Sequence, residues 1–394
     1  MPYYRSVGLI PRKRHTQFRS PEGDLYAEEL MGTEGFSADS ALLYHRHPPT
    51  AIVGADAVAD DRRTVANLPL KPRHFRTTEL TWAQPSEVDA VTGRLLLLGN
   101  QDVRICFAVA TRPSPLYRNA TGDELIYVRG GAARVETVFG ALAVADGDYL
   151  VIPASCTYRV VPDPEVTALI VEATGHIGPP RRYLSARGQF LEHAPYCERD
   201  LRGPDAPLLA DGTEVDVLVR HGAGLTSLTY AHHPFDVVGW DGCLYPWVFN
   251  IRDFEPITGR IHQPPPVHQT FEGPNFVVCS FRPRKVDYHP LAVPVPYNHA
   301  NVDSDELLFY VGGDYEARRG SGIGLGSLSL HPSGFTHGPQ PGAAEASLGL
   351  ERFEETAVMV DTFRPLELGE AARAVEDPAY AWSWSGRGPS NTTE

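Results

Sequence analysis

The chain carries a repeat of itself, and that repeat limits the possible folds more than any single segment does. "DELIYVRGG" at 123–131 and "DELLFYVGG" at 305–313 both open on Asp-Glu-Leu, close on Gly-Gly and have equal length. A second pair follows in the same order. "GDYLVIPASCTY" at 147–158 lies over "GSLSLHPSGFTH" at 326–337, with Gly147 on Gly326, Pro153 on Pro332 and Tyr158 on His337. The two offsets, 182 and 179 residues, are nearly equal, so the blocks shift together. Each copy reads as a strand, a gap and a second strand ending in Pro and a turn, which suits a small antiparallel barrel with a ligand at its mouth. Short apolar runs bounded by turn residues recur elsewhere, among them "VRICFAVA" from Val103, "TALIVEA" from Thr167, "NFVVCSF" from Asn275 and "TAVMVDTF" from Thr356. The expected fold is mainly β, a duplicated pair of antiparallel β-barrels or jelly rolls. Its few peripheral helices are expected at "LYAEEL" (25–30) and "LELGEAARAV" (366–375), and the tail "SWSGRGPSNTTE" from Ser383 is expected to be disordered.

The copies differ where chemistry can sit. In spacing, the second resembles the cupin signature: His299 is followed by Glu306 and Gly312, and Gly326 by Pro332, Gly334 and His337. The first keeps Glu124, Gly130, Gly147 and Pro153 but has Tyr117 where His299 stands and Tyr158 where His337 stands. The expected division is 1–230, holding a degenerate, metal-free cupin barrel with a core at about 75–180, and 231–394, holding the metal-binding barrel. Two neutral imidazoles and one carboxylate with open positions are the donor set of non-haem Fe(II) oxygenases, and Mn(II) and Zn(II) accept the same donors. His299, Glu306 and His337 supply that set, with Asp305 the alternative carboxylate.

Other histidines surround these. His331 precedes His337 by six residues, and "RIHQPPPVHQTF" carries His262 and His268 about a Pro-rich turn. An imidazole near neutral pKa is a natural base for a phenol proton, so His262 reads either as that base or as a turn residue. "YHRH", with His45 and His47, and "AHHP", with His232 and His233, read either as ligand pairs or as polar loop residues.

Thirty-five Lys+Arg against 49 Asp+Glu leave a net charge of -14, which repels phosphate backbones and anionic membranes, so no nucleic acid and no membrane is expected as a partner. No apolar run approaches the roughly 18 residues of a membrane helix, and "MPYYRSVGLIPRKRH" lacks a secretory core, so a cytoplasmic protein is expected. Five scattered cysteines without CxxC spacing fit reduced thiols.

Several separated blocks make the chain resemble the bacterial type of the homogentisate 1,2-dioxygenase family over most of its length. They are "LYAEEL", "VVGWDGCLYPWVFNIRDF" from Val237, "IHQPPPVHQTF" from Ile261, "PYNHANVDSDE" from Pro296, "GDYEARRG" from Gly313 and "SLHPSGFTHGP" from Ser329. The resemblance implies a mononuclear Fe(II) enzyme that opens the ring of homogentisate with O2 to give maleylacetoacetate, in tyrosine and phenylalanine catabolism. It implies His299, Glu306 and His337 as iron ligands, His262 as general base, and Tyr297, Tyr315 and His331 as groups that contact substrate or oxygen. It also implies a homo-oligomer, a trimer or hexamer. Two features depart from the animal pattern: one extra residue between His299 and Glu306, and Gly312 where a basic residue stands near the substrate's acetate arm. The alternatives are the same iron chemistry on another hydroquinone or phenol in secondary metabolism, a non-catalytic bicupin, or a Zn-dependent one.

Overall fold

The computed structural model describes residues 3–83 and 87–385. Backbone proximity divides the chain into two compact units, the first made of Met1–Asp61, Pro85–Arg94 and Cys106–Asn250, the second of Arg62–Gln84, Leu95–Ile105 and Ile251–Glu394. This is not the single cut near residue 230 that the sequence suggests, and strand pairing is the reason. Val237–Gly242 lies between Arg5–Gly8 and Ser40–His45, and Trp247–Asn250 pairs with Asp148–Ile152, so both stay with the first unit. Arg73–Arg76 pairs with Ser327–His331 and so joins the second.

In the first unit the strand Glu124–Thr137 pairs antiparallel with Asp148–Ile152, Gly140–Ala145 and Tyr158–Ala173. In the second, strands run in the order Gln269–Gly273, Phe276–Phe281, Thr356–Thr362, Asp305–Gly312, Ser327–His331 and Arg73–Arg76. Alternation along Asp305–Gly312 sends Leu307 and Phe309 to one face, where they meet Val360, Val358, Leu330 and Leu328, all essentially buried. Glu306 then lies on the opposite face.

Register confirms the duplication and lengthens it. Glu124 stands opposite Ile152 on one side and Glu172 on the other, and Glu306 stands opposite His331 and Asp361. The runs "ALIVE" at 168–172 and "AVMVD" at 357–361 are thus a third repeated block. The closing glycines also have a common cause. Gly131 and Gly313 adopt φ +77° and +78°, and a Cβ there would come within 2.0 Å of Glu165 O and 1.7 Å of Glu354 O. Only glycine fits either place.

In the first unit the repeated carboxylates are neutralised from within. Arg94 donates from Nη1 to Glu124 Oε1 (2.9 Å) and Glu172 Oε1 (2.7 Å), and from Nη2 to Glu124 Oε2 (3.2 Å) and the Tyr158 hydroxyl (2.7 Å). Tyr117 and Tyr158, which stand in the histidine positions, both donate to Glu124. Burial would depress the Arg94 guanidinium, but the facing carboxylates and phenols hold it well above its ordinary range. Burial pushes both tyrosines up.

Three local expectations are corrected. "LYAEEL" is not a helix: Ala27–Gly32 is a strand paired residue by residue with Ser40–His45, so tertiary pairing overrides local helix preference. Within 366–375 only Glu370–Ala374 is helical; Glu367–Gly369 is a strand, and a Cβ on Gly369 would lie 2.1 Å from Leu96 O. The tail is ordered at its start, since Tyr380–Ser385 forms a 3-10 helix; 386–394 lie outside the described residues. None of the five cysteines is in a disulfide. Among the described residues no helix is long and apolar enough to cross a membrane.

Replacing Arg94 by Met should lower the stability of the fold by about 3–5 kcal/mol, because buried Glu124 loses its cation and Glu172 keeps only Arg220, 3.4 Å away. Adding Glu124→Gln and Glu172→Gln to that variant should restore most of the loss in a thermal or urea melt.

Candidate metal centre

The mouth of the second barrel is organised by pairing. His299–Ala300 and Thr336–His337 form a two-stranded ladder with His299 opposite His337, and Glu306 is the second residue of the next strand, Asp305–Gly312. His299 Nε2 lies 3.4 Å from Glu306 Oε2, and His337 Nε2 lies 3.4 Å from Glu306 Oε1. Among the described residues this is the one group of three potential ligands whose donor atoms all lie within 4.8 Å of one another. His299 Nδ1 and His337 Nε2 are buried without a hydrogen-bond partner. Buried imidazole nitrogens left unsatisfied around a carboxylate are costly unless a cation takes the lone pairs, so this donor set fits a divalent metal.

The two acidic candidates separate cleanly. Asp305 accepts from the backbone N–H of Ser333 (2.9 Å) and of Leu366 (2.8 Å), just as Asp123 accepts from Ala154 and Ile177 at 2.8 Å each. Asp305 therefore ties down the turn, and Glu306 is the carboxylate that meets the histidines. Burial would raise the Glu306 carboxyl, but the imidazoles of His299, His331 and His337 around it hold it well below the usual range.

His331 is fully buried and has both ring nitrogens engaged: Nδ1 with Glu306 Oε1 at 2.8 Å and Nε2 with the Tyr380 hydroxyl at 2.8 Å. Burial, then the charge of Arg318, pushes its pKa down to about 3. The neutral ring accordingly donates from Nδ1 to Glu306 and accepts from Tyr380, an orientation inferred from the partners. It also stacks on His337, with centroids 4.2 Å apart. Tyr380 and Trp384 come from the 3-10 helix Tyr380–Ser385, whose last three residues fall in the tail expected to be disordered from Ser383; Trp384 donates to Gly338 O at 3.1 Å.

His262 is exposed and bonds through Nδ1 to Asp287 Oδ2 (3.1 Å) and through Nε2 to the Tyr297 hydroxyl (2.9 Å). The Tyr297 ring meets His299 edge-on at 6.0 Å. Tyr315 packs edge-on against Tyr310 at 4.8 Å. His268 does not join the group: it is buried against Phe281 at 4.6 Å. Gly312 has only Thr356 near the position of a Cβ, at 3.7 Å. His45, His47, His232 and His233 belong to the first unit.

Three residues escaped sequence reasoning. Arg318 is buried, donates to Gly338 O (2.5 Å) and the Tyr310 hydroxyl (3.3 Å), lies over Trp384 and has no carboxylate within ion-pair distance among the described residues. Asp361 stands opposite Glu306 with a buried, unpartnered Oδ1; burial and the neighbouring Glu306 charge push its carboxyl well up. Asp287 orients His262. The third repeated block pointed to Asp361, and nothing comparable marked the other two.

The sequence model of the homogentisate 1,2-dioxygenase N-terminal region matches residues 5–251. The chain belongs to the homogentisate 1,2-dioxygenase family. It is 37% identical to a Saccharolobus solfataricus protein named "Putative dioxygenase", over 98% of this chain and 99% of that one. It is 28% identical to the homogentisate 1,2-dioxygenase of Nitrobacter hamburgensis, over 96% of this chain and 90% of that one. A cupin 2 conserved barrel domain protein from Leptotrichia buccalis aligns with 74% of this chain and 96% of its own at 11% identity and a TM-score of 0.33. The protein is an enzyme, a dioxygenase of this family with the cupin fold, and the cluster at the mouth of its second barrel is its candidate metal centre.

Beside that centre, burial and then the charge of Arg284 push His268 down to about 3. The folded ring stays neutral while the unfolded one takes a proton below about pH 6.5, so stability should fall as pH drops through that window, by about 1.4 kcal/mol per pH unit. Urea titrations between pH 7 and pH 4 should show this slope reduced by that amount in His268→Phe.

Proposed function

We propose that the enzyme is an Fe(II)-dependent ring-cleaving dioxygenase that opens homogentisate with O2 to maleylacetoacetate. The observation that carries this reading is the convergence of His299, Glu306 and His337, with imidazole nitrogens unsatisfied, in a chain of this family. These three residues would hold the iron, which when bound supplies the electron-transfer chemistry that lets O2 react with an aromatic ring.

The remaining steps belong to the protein. His262, steadied at Nδ1 by Asp287, takes the proton of a ring hydroxyl at Nε2 through the Tyr297 hydroxyl, which raises electron density on the ring. His331 fixes Glu306 from behind and is itself fixed by Tyr380, so the carboxylate keeps one orientation. Tyr315, packed edge-on against Tyr310, is assigned to contact with the substrate or oxygen. A buried cation without a carboxylate is expensive, and Arg318 is such a cation. The carboxylate of the substrate's acetate arm is the partner it lacks, which makes up for Gly312 where the animal enzymes carry a basic residue. A cytoplasmic homo-oligomer, trimer or hexamer, accompanies this reading.

A second reading is the same iron chemistry on another hydroquinone, favoured by Gly312 and by the extra residue between His299 and Glu306. Oxygen uptake decides. Protein loaded anaerobically with Fe(II) should consume one O2 per homogentisate, and protein loaded with Zn(II) or Mn(II) should consume none. Uptake only with another hydroquinone would establish the second reading, and none with any hydroquinone would remove both.

Residue tests are sharper. His337→Ala should lose iron yet keep the wild-type circular dichroism spectrum. His262→Gln should keep its iron and turn over roughly 10² to 10⁴ times more slowly. Arg318→Met should raise the KM for homogentisate at least tenfold, while its rate on a hydroquinone without a carboxylate stays at the wild-type level.

A further inference from the structure

The two histidine pairs that the dioxygenase chemistry leaves unused meet in one place. "YHRH" and "AHHP" lie almost 190 residues apart, with His45 and His233 separated by 188 positions, yet both line one cavity of about 60 Å³ in the first unit. His47 and His232, both on its wall, stack on each other with centroids 4.0 Å apart and planes 13° from parallel.

Arg118 lines the same cavity. Its Nε and Nη2 both donate to Thr157 Oγ1, at 2.9 and 2.6 Å, and its Nη1 donates to the Tyr230 hydroxyl at 3.1 Å. A guanidinium has five N–H groups in a fixed fork, so two remain, one on each terminal nitrogen. Among the described residues no carboxylate lies within ion-pair distance of it, in a chain with 14 more acidic than basic residues. The hydroxyl hydrogens of Thr157 and Tyr230 are likewise free to point into the cavity, since both oxygens already accept from Arg118.

The acidic residues beside the cavity are taken up by other partners. Asp236 accepts from His45 Nδ1 (2.6 Å), from the His47 backbone N–H (2.8 Å) and from His47 Nδ1 (3.2 Å). Glu29 Oε2 lies 2.9 Å from His45 Nε2. His45 is thus clamped between two carboxylates and cannot serve as a ligand. His47 Nε2 and the His232 ring keep their hydrogen-bonding capacity. Ser155, on the cavity wall, is held at φ 66°, a left-handed conformation that serine rarely adopts and that marks a locally constrained site.

We propose that this cavity is a binding site for a small oxyanion, gripped by the free fork of Arg118, the Tyr230 and Thr157 hydroxyls and an N–H of the His232 ring, which His47 holds in place by stacking. Convergent donors around an unpaired guanidinium are the chemistry that recognises phosphate and carboxylate. A single water needs about 10–15 Å³ of such space, so the cavity admits an ion of roughly four or five heavy atoms and excludes a nucleotide or an aromatic ring. A metal is the poorer occupant, because the cluster offers no set of three donor atoms within 4.8 Å of one another and a guanidinium faces it.

The test is calorimetric titration of the full, metal-free chain with sodium phosphate and with sodium acetate, against sodium chloride at equal ionic strength. One equivalent of phosphate or acetate should bind saturably, and the tighter of the two names the source. Arg118→Gln and, separately, His232→Asn should each weaken binding at least tenfold, whereas Arg12→Gln, at an exposed arginine away from both sites, should leave it unchanged. Absence of saturable binding of either anion overturns the proposal. So does equal binding by His232→Asn and wild type, which also decides the matter should Arg118→Gln fail to fold, and so does saturable uptake of Zn(II) abolished by His232→Asn.

Discussion

Each barrel buries two carboxylates on facing strands, Glu124 with Glu172 and Glu306 with Asp361, and neither pair can stay buried without positive charge or protons. Much of the structure follows from how that demand is met. In the first barrel Arg94 reaches both acids and Tyr158, and lies over the ring of Tyr117, the two tyrosines that replace the histidines. The pair is neutralised by the chain itself, with Arg220 Nε a further 3.4 Å from Glu172 Oε2. In the second barrel, among the described residues, no arginine lies within ion-pair distance of Glu306 or Asp361. Three imidazoles face Glu306 instead, and two of them end in nitrogens without a partner. A cation from solution is the natural completion of that arrangement, which makes the two barrels alternative solutions to one electrostatic problem.

The second barrel also holds its donors still. Asp305 pins the turn that carries His337 by accepting from Ser333, and His331 braces Glu306 between two fully formed hydrogen bonds. These contacts are made by residues that do not need to touch a metal. They restrict the rotamers of those that do, and preorganisation of this kind is worth more to a reactive site than additional donors.

How much of this could be read from sequence depended on what a residue must satisfy. The Gly-Gly ends of the repeated strands were legible because a positive φ and a nearby carbonyl allow only glycine at Gly131 and Gly313. His299, Glu306 and His337 were legible because their copies in the first barrel are present or replaced together. The third block was hidden, since an apolar run ending in Glu172 or Asp361 looks like any buried strand until register places it beside Glu124 or Glu306. Arg94, Arg318 and Asp287 lay outside the repeat and announced themselves by no spacing; they matter only through the partners the fold brings them. "LYAEEL" failed as a helix for the related reason that long-range pairing with Ser40–His45 outweighs local preference.

The central claim is that a metal completes one acid pair and an arginine the other. The most direct measurement is anomalous scattering at the iron edge from crystals of protein loaded anaerobically with Fe(II). The account predicts one peak per chain, about 2.0–2.2 Å from nitrogens of His299 and His337 and an oxygen of Glu306, and none beside Arg94. A peak elsewhere, a second peak at Glu124, or none at all would contradict it.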